Sequence, residues 1–322
     1  MTFLREATAK SYGRILPTTA IAAGLSYPSL NGGLAATTAV CLINTGDVVS
    51  AEEQVAAHYT QGALEDRILA SLHAAGKNLD QLTPEDLGGL DEFHLGAREA
   101  TEALASFMHL HPGMHLLDVG CGIGGPARYF AGRGCQVTGI DLTAEFVAVA
   151  ERLTRMVKLD QRATFRQASA LELPFDSASF DGAYEIHVGM NIPDKTGVFR
   201  EVARVLKPGA RFSIYDILRT NDDAFDFPVP WAQSPDVSFV ASIDDYRRAL
   251  ESTGFRIEHQ RERRQFGLDF MQRMREQAAA SGPPILGIHL LMGEKSALML
   301  KNVGAAVDAG VLEPVEFVAV AQ

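Results

Sequence analysis

The sequence predicts an α/β protein with a doubly wound, mostly parallel sheet, and three observations lead to this fold class. Short apolar strand patterns alternate with helical patterns from residue 115 to residue 218. The first strand pattern runs into a glycine-rich turn within LLDVGCGIGGPARYFA (116–131), which can restart as a helix. Two further strand patterns follow near the C-terminus. Strands that alternate with helices pair in parallel, so we expect helices on both faces of the sheet.

Seven segments read as strands, and most of them are short, apolar and bounded by turn residues. In chain order they are HLLDVG (115–120), QVTGID (136–141), ATFRQAS (163–169), FDGAYEIHV (180–188), KPGARFSIYDIL (207–218), RIEHQRE (256–262) and EPVEFVAVAQ (313–322). The fifth is expected to begin after a turn at Pro208-Gly209.

The helices are predicted from apolar residues at helical spacing. Ser50 can cap the first one, and Glu52 and Glu53 suit its first turn, so a single amphipathic helix is expected to run on to residue 76. Thr143 can cap the helix after the second strand. The other predicted helices are AREATEALASFM (97–108), TAEFVAVAERLTRMVKL (143–159), VFREVARVL (198–206), IDDYRRALESTGF (243–255) and LDFMQRMREQAAA (268–280).

The chain divides into four predicted regions. Residues 1–49 form an N-terminal extension, 50–110 a helical region, 111–218 the α/β core, and 219–322 a part that completes the sheet. The extension carries a long charge-free stretch, but prolines and glycines interrupt it, so no run reaches the about 20 apolar residues of a spanning helix. Its basic, Ser- and Ala-containing start is a weak targeting pattern. We expect a cytoplasmic protein, or an organellar one if residues 1–49 act as a transit segment.

Composition excludes several function classes. The 322 residues carry 40 acidic and 29 basic side chains, a formal net charge of −11 that opposes binding to nucleic acid. Cys41, Cys121 and Cys135 are far apart and form no CxxC pair, which indicates a reducing compartment and no structural zinc or other metal site. The oligomeric state is open, with a homodimer as one expectation.

The glycine turn fits two kinds of ligand. Gly120, Gly122 and Gly125 satisfy G-x-G-x-x-G, and Asp141 follows about twenty residues later, which also describes a dinucleotide-binding fingerprint. Asp118 begins to distinguish a dinucleotide from a ligand without phosphate groups, because a carboxylate at the mouth of the first strand would repel a pyrophosphate. It suits a ligand with a positive centre, such as the sulfonium and ammonium of S-adenosyl-L-methionine.

On these residues the chain resembles the class I S-adenosylmethionine-dependent methyltransferases. Within them it is similar to the small-molecule branch that includes sarcosine/dimethylglycine, quinone-ring and natural-product methyltransferases. The resemblance covers roughly residues 50 to 322. It rests on LLDVGCGIGGPARYFA, VTGIDLT, ASALELPFDSASFDGAYEIHV, NIPDKTGVFREVARVLKPGARFSIYDI and DDYRRALESTGF, in that order. It implies a Rossmann-like, seven-stranded sheet with an antiparallel C-terminal strand.

The resemblance also implies roles for particular residues. Asp118, Gly120 and Gly122 would surround the methionine part of the cofactor, and Asp141 would hold its ribose. The adenine would lie against Leu142, Ala170 and Leu171, with Glu185 and His187 after the fourth strand. DEFHLGAREA (91–100) resembles the family's gate segment, so that Phe93, His94 and Gly96 would approach the amino-acid end of the cofactor.

Three residues near the carboxyl ends of the strands are candidates for catalysis. His187 is the first candidate for a base, because its ordinary pKa is near neutral, although it can equally pack beneath the cofactor. Asp216 can orient a substrate or a histidine, or only cap a loop. Several relatives have a histidine near the position of Asn191, which can position a substrate but cannot take a proton.

Residues 219–241 and 281–303 are expected to form a lid over the cleft. Phe225, Phe227, Trp231 and Phe239 can hold an apolar ring or a methylated ammonium there, or form ordinary core. We therefore expect an S-adenosylmethionine-dependent methyltransferase that acts on N, O or C of a small molecule. The alternatives are a relative that binds the cofactor without methyl transfer, as a cyclising enzyme or binding module, and a dinucleotide oxidoreductase. An amine, a phenol and a polyketide-like hydroxyl all remain open as acceptors.

Overall fold

The computed structural model describes residues 50–60 and 62–322, which contain one seven-stranded sheet in the order β3-β2-β1-β4-β5-β7-β6. Strands β1 to β5 pair in parallel, and β7 lies antiparallel between β5 and β6. The strands are β1 (His115–Val119), β2 (Gln136–Asp141), β3 (Ala163–Gln167), β4 (Phe180–Ile186), β5 (Leu206–Arg219), β6 (Phe255–Glu262) and β7 (Leu312–Ala321). The predicted fold class is confirmed, including its antiparallel C-terminal strand.

Helices cover both faces of the sheet. Neighbouring strand residues alternate between two apolar clusters, so that Leu116 packs in one and Leu117 in the other. Burial on both faces explains why these strands read as continuous apolar runs. The helices are α1 (Ala51–Tyr59), α2 (Leu64–Ala74), α3 (Ala97–Ser106), α4 (Gly125–Gly132), α5 (Ala144–Met156), α6 (Lys195–Val205), α7 (Ile243–Ser252), α8 (Arg264–Ser281), α9 (His289–Met292) and α10 (Ser296–Asp308).

The first predicted helix is two helices, α1 and α2. Ser50 caps α1 as expected, with the Glu53 backbone N–H donating to its hydroxyl at 3.2 Å and the Glu53 carboxylate accepting from the Ser50 backbone at 2.8 Å. The chain then breaks at Ala63, which has a left-handed φ of 55°. The Glu145 carboxylate accepts the backbone N–H groups of Gly62 and Leu64 at 3.1 and 2.9 Å, so a residue far along the chain stabilises the start of α2.

Two smaller predictions differ from the structure. Thr143 is the N-cap residue of α5, but its side chain makes no capping hydrogen bond there, and its backbone N–H donates to Asp141 instead. Pro208-Gly209 does not precede β5; it lies inside the strand, where Gly209 has φ of 80° and the pairing with β4 shifts register.

The C-terminal part packs on itself and on the sheet. Trp231 and Val229 lie in one buried apolar cluster with residues of α10 and with Ile217 of β5. The side-chain amide of Asn302 donates to the backbone carbonyl of Pro228 at 2.9 Å, which ties α10 to the segment after β5.

The remaining expectations about organisation stay predictions. Residues 1–49, with the predicted extension and Cys41, lie outside the described residues, and the cytoplasmic location and homodimer have no test here. In the described part of the chain no helix is both long and apolar enough to cross a membrane. In the same ranges, no three His, Cys, Asp or Glu residues cluster in a way that could hold a metal ion.

Candidate active site

A cleft of about 300 Å³ opens where the parallel strands end at their carboxyl edge. The segments after β1, β2, β3 and β4 all contribute to its wall, which is where ligands bind in doubly wound sheets. Of the fourteen residues predicted for the cofactor and for catalysis, the structure brings eleven together in this lining: Phe93, His94, Asp118, Gly120, Gly122, Asp141, Leu142, Ala170, Leu171, His187 and Asn191.

The glycine turn after β1 needs glycine for two physical reasons. Gly120 and Gly122 have φ of 71° and 52°, the left-handed region that side chains disfavour. A Cβ on Gly120 would also lie 2.4 Å from a methyl carbon of Val188. Asp141 then fixes the turn, because its carboxylate accepts the backbone N–H groups of Gly122 and Thr143 at 2.9 and 2.8 Å. The turn and the end of β2 therefore form one preorganised edge of the cleft.

The charged lining of the cleft is acidic. In the described residues it contains Glu52, Asp91, Asp118 and Asp141 and no lysine or arginine. Burial raises the pKa of Asp118 to about 8, and Oδ2 of its carboxyl group has no hydrogen-bond partner in the described structure. Burial also raises the pKa of Asp141. Such a wall favours a cationic ligand over a phosphate.

Glu185 and Asp216 are placed behind the cleft rather than in its lining. Both side chains are about 1% exposed, and Asp216 Oδ2 accepts the backbone N–H of Gly189 at 2.8 Å and the hydroxyl of Tyr246 at 2.6 Å. Burial raises the pKa of Glu185, and raises that of Asp216 to about 6. Asp216 therefore supports the segment that follows β4, which agrees with the loop-capping alternative for this residue, and both carboxyl oxygens of Glu185 are buried without a hydrogen-bond partner in the described structure.

His187 lies in the lining, but no hydrogen-bond partner in the described structure orients its ring for the role of a base. Its backbone has φ of 56°, and its Nε2 atom is buried without a hydrogen-bond partner in the described structure. Burial lowers the pKa of the imidazole well below its usual value, with a further lowering by His94, whose ring centre is 5.8 Å away.

Tyr59 is a lining residue that the sequence analysis does not name. It lies at the end of α1 and donates its hydroxyl to Oδ1 of Asn191 at 3.1 Å. Leu291 and Met292 reach the cleft from α9, and Pro230 lies beside Trp231 in the wall; all four belong to the segments 281–303 and 219–241 that are predicted to form a lid. The other aromatic residues predicted for the lid, Phe225, Phe227 and Phe239, lie outside the lining, as do Gly96 and Glu185. A sequence feature did point to Tyr59: Val55 and Tyr59 are four residues apart, so helical spacing puts both on one face of α1, and both line the cleft.

Helix α1 covers part of the cleft and is attached to three other segments. The hydroxyl of Ser169 donates to Glu52, Nε2 of His58 lies 2.9 Å from the carbonyl of Pro230, and Tyr59 bonds to Asn191 as described. All three contacts are polar and lie at or near the lining. Helix α1 belongs to the helical region predicted for residues 50–110, and a gating role for this region stays a prediction.

The comparisons with known proteins agree with this architecture. A sequence family described as a methyltransferase domain matches residues 117–214. The chain is 35% identical over 190 residues to the 27-O-demethylrifamycin SV methyltransferase of Amycolatopsis mediterranei (strain S699), covering 56% of this chain and 70% of that protein. In eight of the curated relatives, the matched part covers from 36% to 70% of their length, and less than two thirds in seven of the eight.

Solved structures share the fold at lower sequence identity. The [4+2]-cyclase SpnF has a TM-score of 0.60 and 23% identity, covering 85% of this chain and 97% of SpnF. The geranyl diphosphate C-methyltransferase from Streptomyces coelicolor A3(2), solved with S-adenosyl-L-homocysteine, has a TM-score of 0.62 and 19% identity, covering 85% of this chain and 99% of that one.

Proposed function

Since the chain belongs to the class I S-adenosylmethionine-dependent methyltransferases, we propose that it transfers the methyl group of S-adenosyl-L-methionine to an uncharged, largely apolar small molecule. The observation that carries the proposal is the charge of the cleft: every charged lining residue in the described chain is acidic, next to a glycine turn fixed by Asp141.

The half of the cleft at β1, β2 and β3 suits the cofactor. Asp141 keeps acceptor lone pairs free beyond its two backbone bonds, so it can accept from the ribose hydroxyls. The unpartnered oxygen of Asp118 can pair with a cation, which offsets the cost of burying that carboxyl. Leu142 and Leu171 offer apolar surface for the adenine.

The other half of the cleft suits an uncharged acceptor. Its wall consists mainly of apolar side chains, with hydrogen-bonding groups from Tyr59, His94, His187 and Asn191. The apolar members are Phe93, Met190, Ile192, Trp231, Leu291 and Met292. A carboxylate or phosphate on the acceptor would lie near acidic residues with no basic lining residue in the described chain to pair with it. A hydroxylated ring system satisfies both the apolar wall and the few polar groups.

The protein's part in the reaction is alignment and exclusion of water. The cofactor, when bound, supplies an activated methyl group on a sulfonium, so the chain has to hold the acceptor in line and keep the cleft dry. Helix α1, Trp231 and Met292 surround the acceptor half and keep water away from the reacting atoms.

Calorimetry and product analysis test the proposal together. S-adenosylhomocysteine should bind, and Asp141→Ala should weaken it by at least about tenfold because charge-assisted hydrogen bonds are lost. The exposed carboxylate variant Asp222→Ala is the matched control and should bind normally. Methyl-labelled cofactor is then offered with naphthol, a sterol, a hydroxylated macrolide and a phosphomonoester.

Transfer to an uncharged acceptor but not to the phosphomonoester is the expected result. Cofactor binding without transfer to any acceptor would favour the non-methylating alternative. Preference for NAD over S-adenosylhomocysteine would refute the assignment of the glycine turn.

A further inference from the structure

His94 is held in a single tautomer by its neighbours. The residue is 7% exposed and lines the cleft, and its Nε2 atom lies 2.9 Å from the Ala97 carbonyl oxygen and 3.1 Å from the Thr101 hydroxyl oxygen. A carbonyl oxygen only accepts hydrogen bonds, so Nε2 must carry the hydrogen in the neutral ring. The lone pair is therefore on Nδ1, the nitrogen that these contacts leave for a molecule in the cleft.

A buried carboxylate stands behind this histidine. The Thr101 hydroxyl donates to Oε2 of Glu92 at 2.8 Å, and the same oxygen is 3.5 Å from Nε2 of His94. The Glu92 side chain is 2% exposed, and Arg98 lies 2.8 Å from its other oxygen. Burial raises the pKa of Glu92 to about 7, and Arg98 opposes that rise. Above that pH the carboxylate would stabilise a positive charge on His94.

We propose that His94 is the general base of the methyl transfer and takes the proton of an acceptor hydroxyl on Nδ1, with Thr101 and Glu92 as positioning residues. The inference rests on the proposed function and adds that the nucleophile is a hydroxyl. In the step, the O–H bond breaks and its electron pair stays on oxygen. The oxygen bonds to the methyl carbon, the C–S electron pair stays on sulfur, and the proton moves to Nδ1.

The neutral state of His94 suits this role. Burial lowers its pKa to about 4, so the ring is unprotonated and able to accept a proton at neutral pH. A hydroxyl becomes strongly acidic as its oxygen gains the methyl group, so even a weak base can take the proton in the transition state. The titratable and charged groups that face the ring are Glu92, 3.5 Å from Nε2, Arg98, which lowers its pKa, and His187, whose ring centre is 5.8 Å away.

His187 lacks this support. Its Nε2 atom is buried with no hydrogen-bond partner in the described part of the chain, so no neighbour fixes which nitrogen carries the hydrogen. A base oriented by a second group is the recurring arrangement in enzymes that activate a hydroxyl. The geometry therefore favours His94, in the segment before α3, as the base over His187, the first candidate predicted from the sequence.

The test compares His94→Gln and Thr101→Val with the matched histidine variant His187→Gln. With naphthol as acceptor, His94→Gln should lower kcat by about 100-fold and Thr101→Val by about tenfold. With naphthalenethiol, which is ionised near neutral pH and needs no base, both should stay near wild type. S-adenosylhomocysteine affinity should change by less than about threefold in each, since a cofactor-binding role predicts a larger loss.

A readout that is independent of turnover is the nitrogen NMR spectrum of histidine-labelled protein. It should show His94 with hydrogen on Nε2 in the wild type, and Thr101→Val should alter that signal. Hydrogen on Nδ1, or a larger loss of naphthol methylation in His187→Gln than in His94→Gln, would overturn the assignment. If the wild type methylates no acceptor, the proposed function itself fails, and the base with it.

Discussion

The variant Asp118→Asn tests two effects of this carboxyl group: how its burial changes the free energy of unfolding, and how its charge changes the affinity for S-adenosylmethionine. Asp118 is 2% exposed, and burial raises its pKa from an ordinary 3.8 to about 8. The folded protein therefore keeps a proton that the unfolded chain releases between these two values. Because the unfolded state binds fewer protons there, the free energy of unfolding falls as pH rises, and it stops falling above about pH 8.

The magnitude follows from the size of the shift. Each pH unit within this window costs about 1.4 kcal/mol of stability, so from about pH 5.5 to about pH 8 the group accounts for roughly 3 kcal/mol. Asparagine has no proton to lose and removes this slope. The amide of asparagine also has unmet hydrogen bonds, but that penalty does not depend on pH. It changes the free energy of unfolding by the same amount at every pH and leaves its slope with pH unaffected.

Denaturant unfolding of the cofactor-free protein at several pH values measures the slope. The difference in unfolding free energy, wild type minus Asp118→Asn, should fall by roughly 3 kcal/mol across that range. The exposed Asp222→Asn variant should follow the wild type. Binding of S-adenosylmethionine should show the opposite trend, because a cation favours the ionised carboxylate and affinity should rise with pH up to about 8. Parallel stability curves for wild type and Asp118→Asn would refute the account.

Three further changes test the walls of the cleft. Gly120→Ala should abolish S-adenosylhomocysteine binding in calorimetry, because its Cβ would meet Val188 at 2.4 Å, and a smaller residue at 188 should restore part of it. Tyr59→Phe removes the hydrogen bond to Asn191, so KM for the acceptor should rise about threefold to tenfold while cofactor affinity stays constant. Glu52→Gln weakens the attachment of α1, and stopped-flow measurement should show faster release of S-adenosylhomocysteine; an unchanged release rate would mean that α1 does not retain the cofactor.

The residues that the sequence predicts for the cofactor lie together at one edge of the cleft because they follow neighbouring strands of the parallel sheet. The glycine turn follows directly from β1, and Asp141 ends the neighbouring parallel strand, so chain order alone brings them to one edge. Glu185 lies outside the lining. It is a buried residue within β4, whereas His187 follows the end of that strand with a φ of 56° and lines the cleft.

The acceptor side depends on contacts that the sequence does not reveal. The break between α1 and α2 relies on Glu145, which is distant in the chain, and without that break Tyr59 would not end a helix beside Asn191. His94 was placed near the cofactor by resemblance. Its orientation becomes visible only once α3 brings Thr101 within 3.1 Å of the ring.

The charge distribution of the cleft connects the two halves. Asp118 and Glu92 have pKa values raised by burial to about 8 and about 7, and the pKa of His94 is lowered to about 4, so Asp118 and His94 are largely uncharged near neutral pH before a ligand binds. A cationic cofactor would ionise Asp118 and thereby balance its own charge. The acceptor half then stays neutral until a proton reaches His94, where Glu92 can stabilise it. The acidic groups thus act at two separate stages, binding and proton transfer, which is why Asp118→Asn should affect affinity and Thr101→Val should affect turnover.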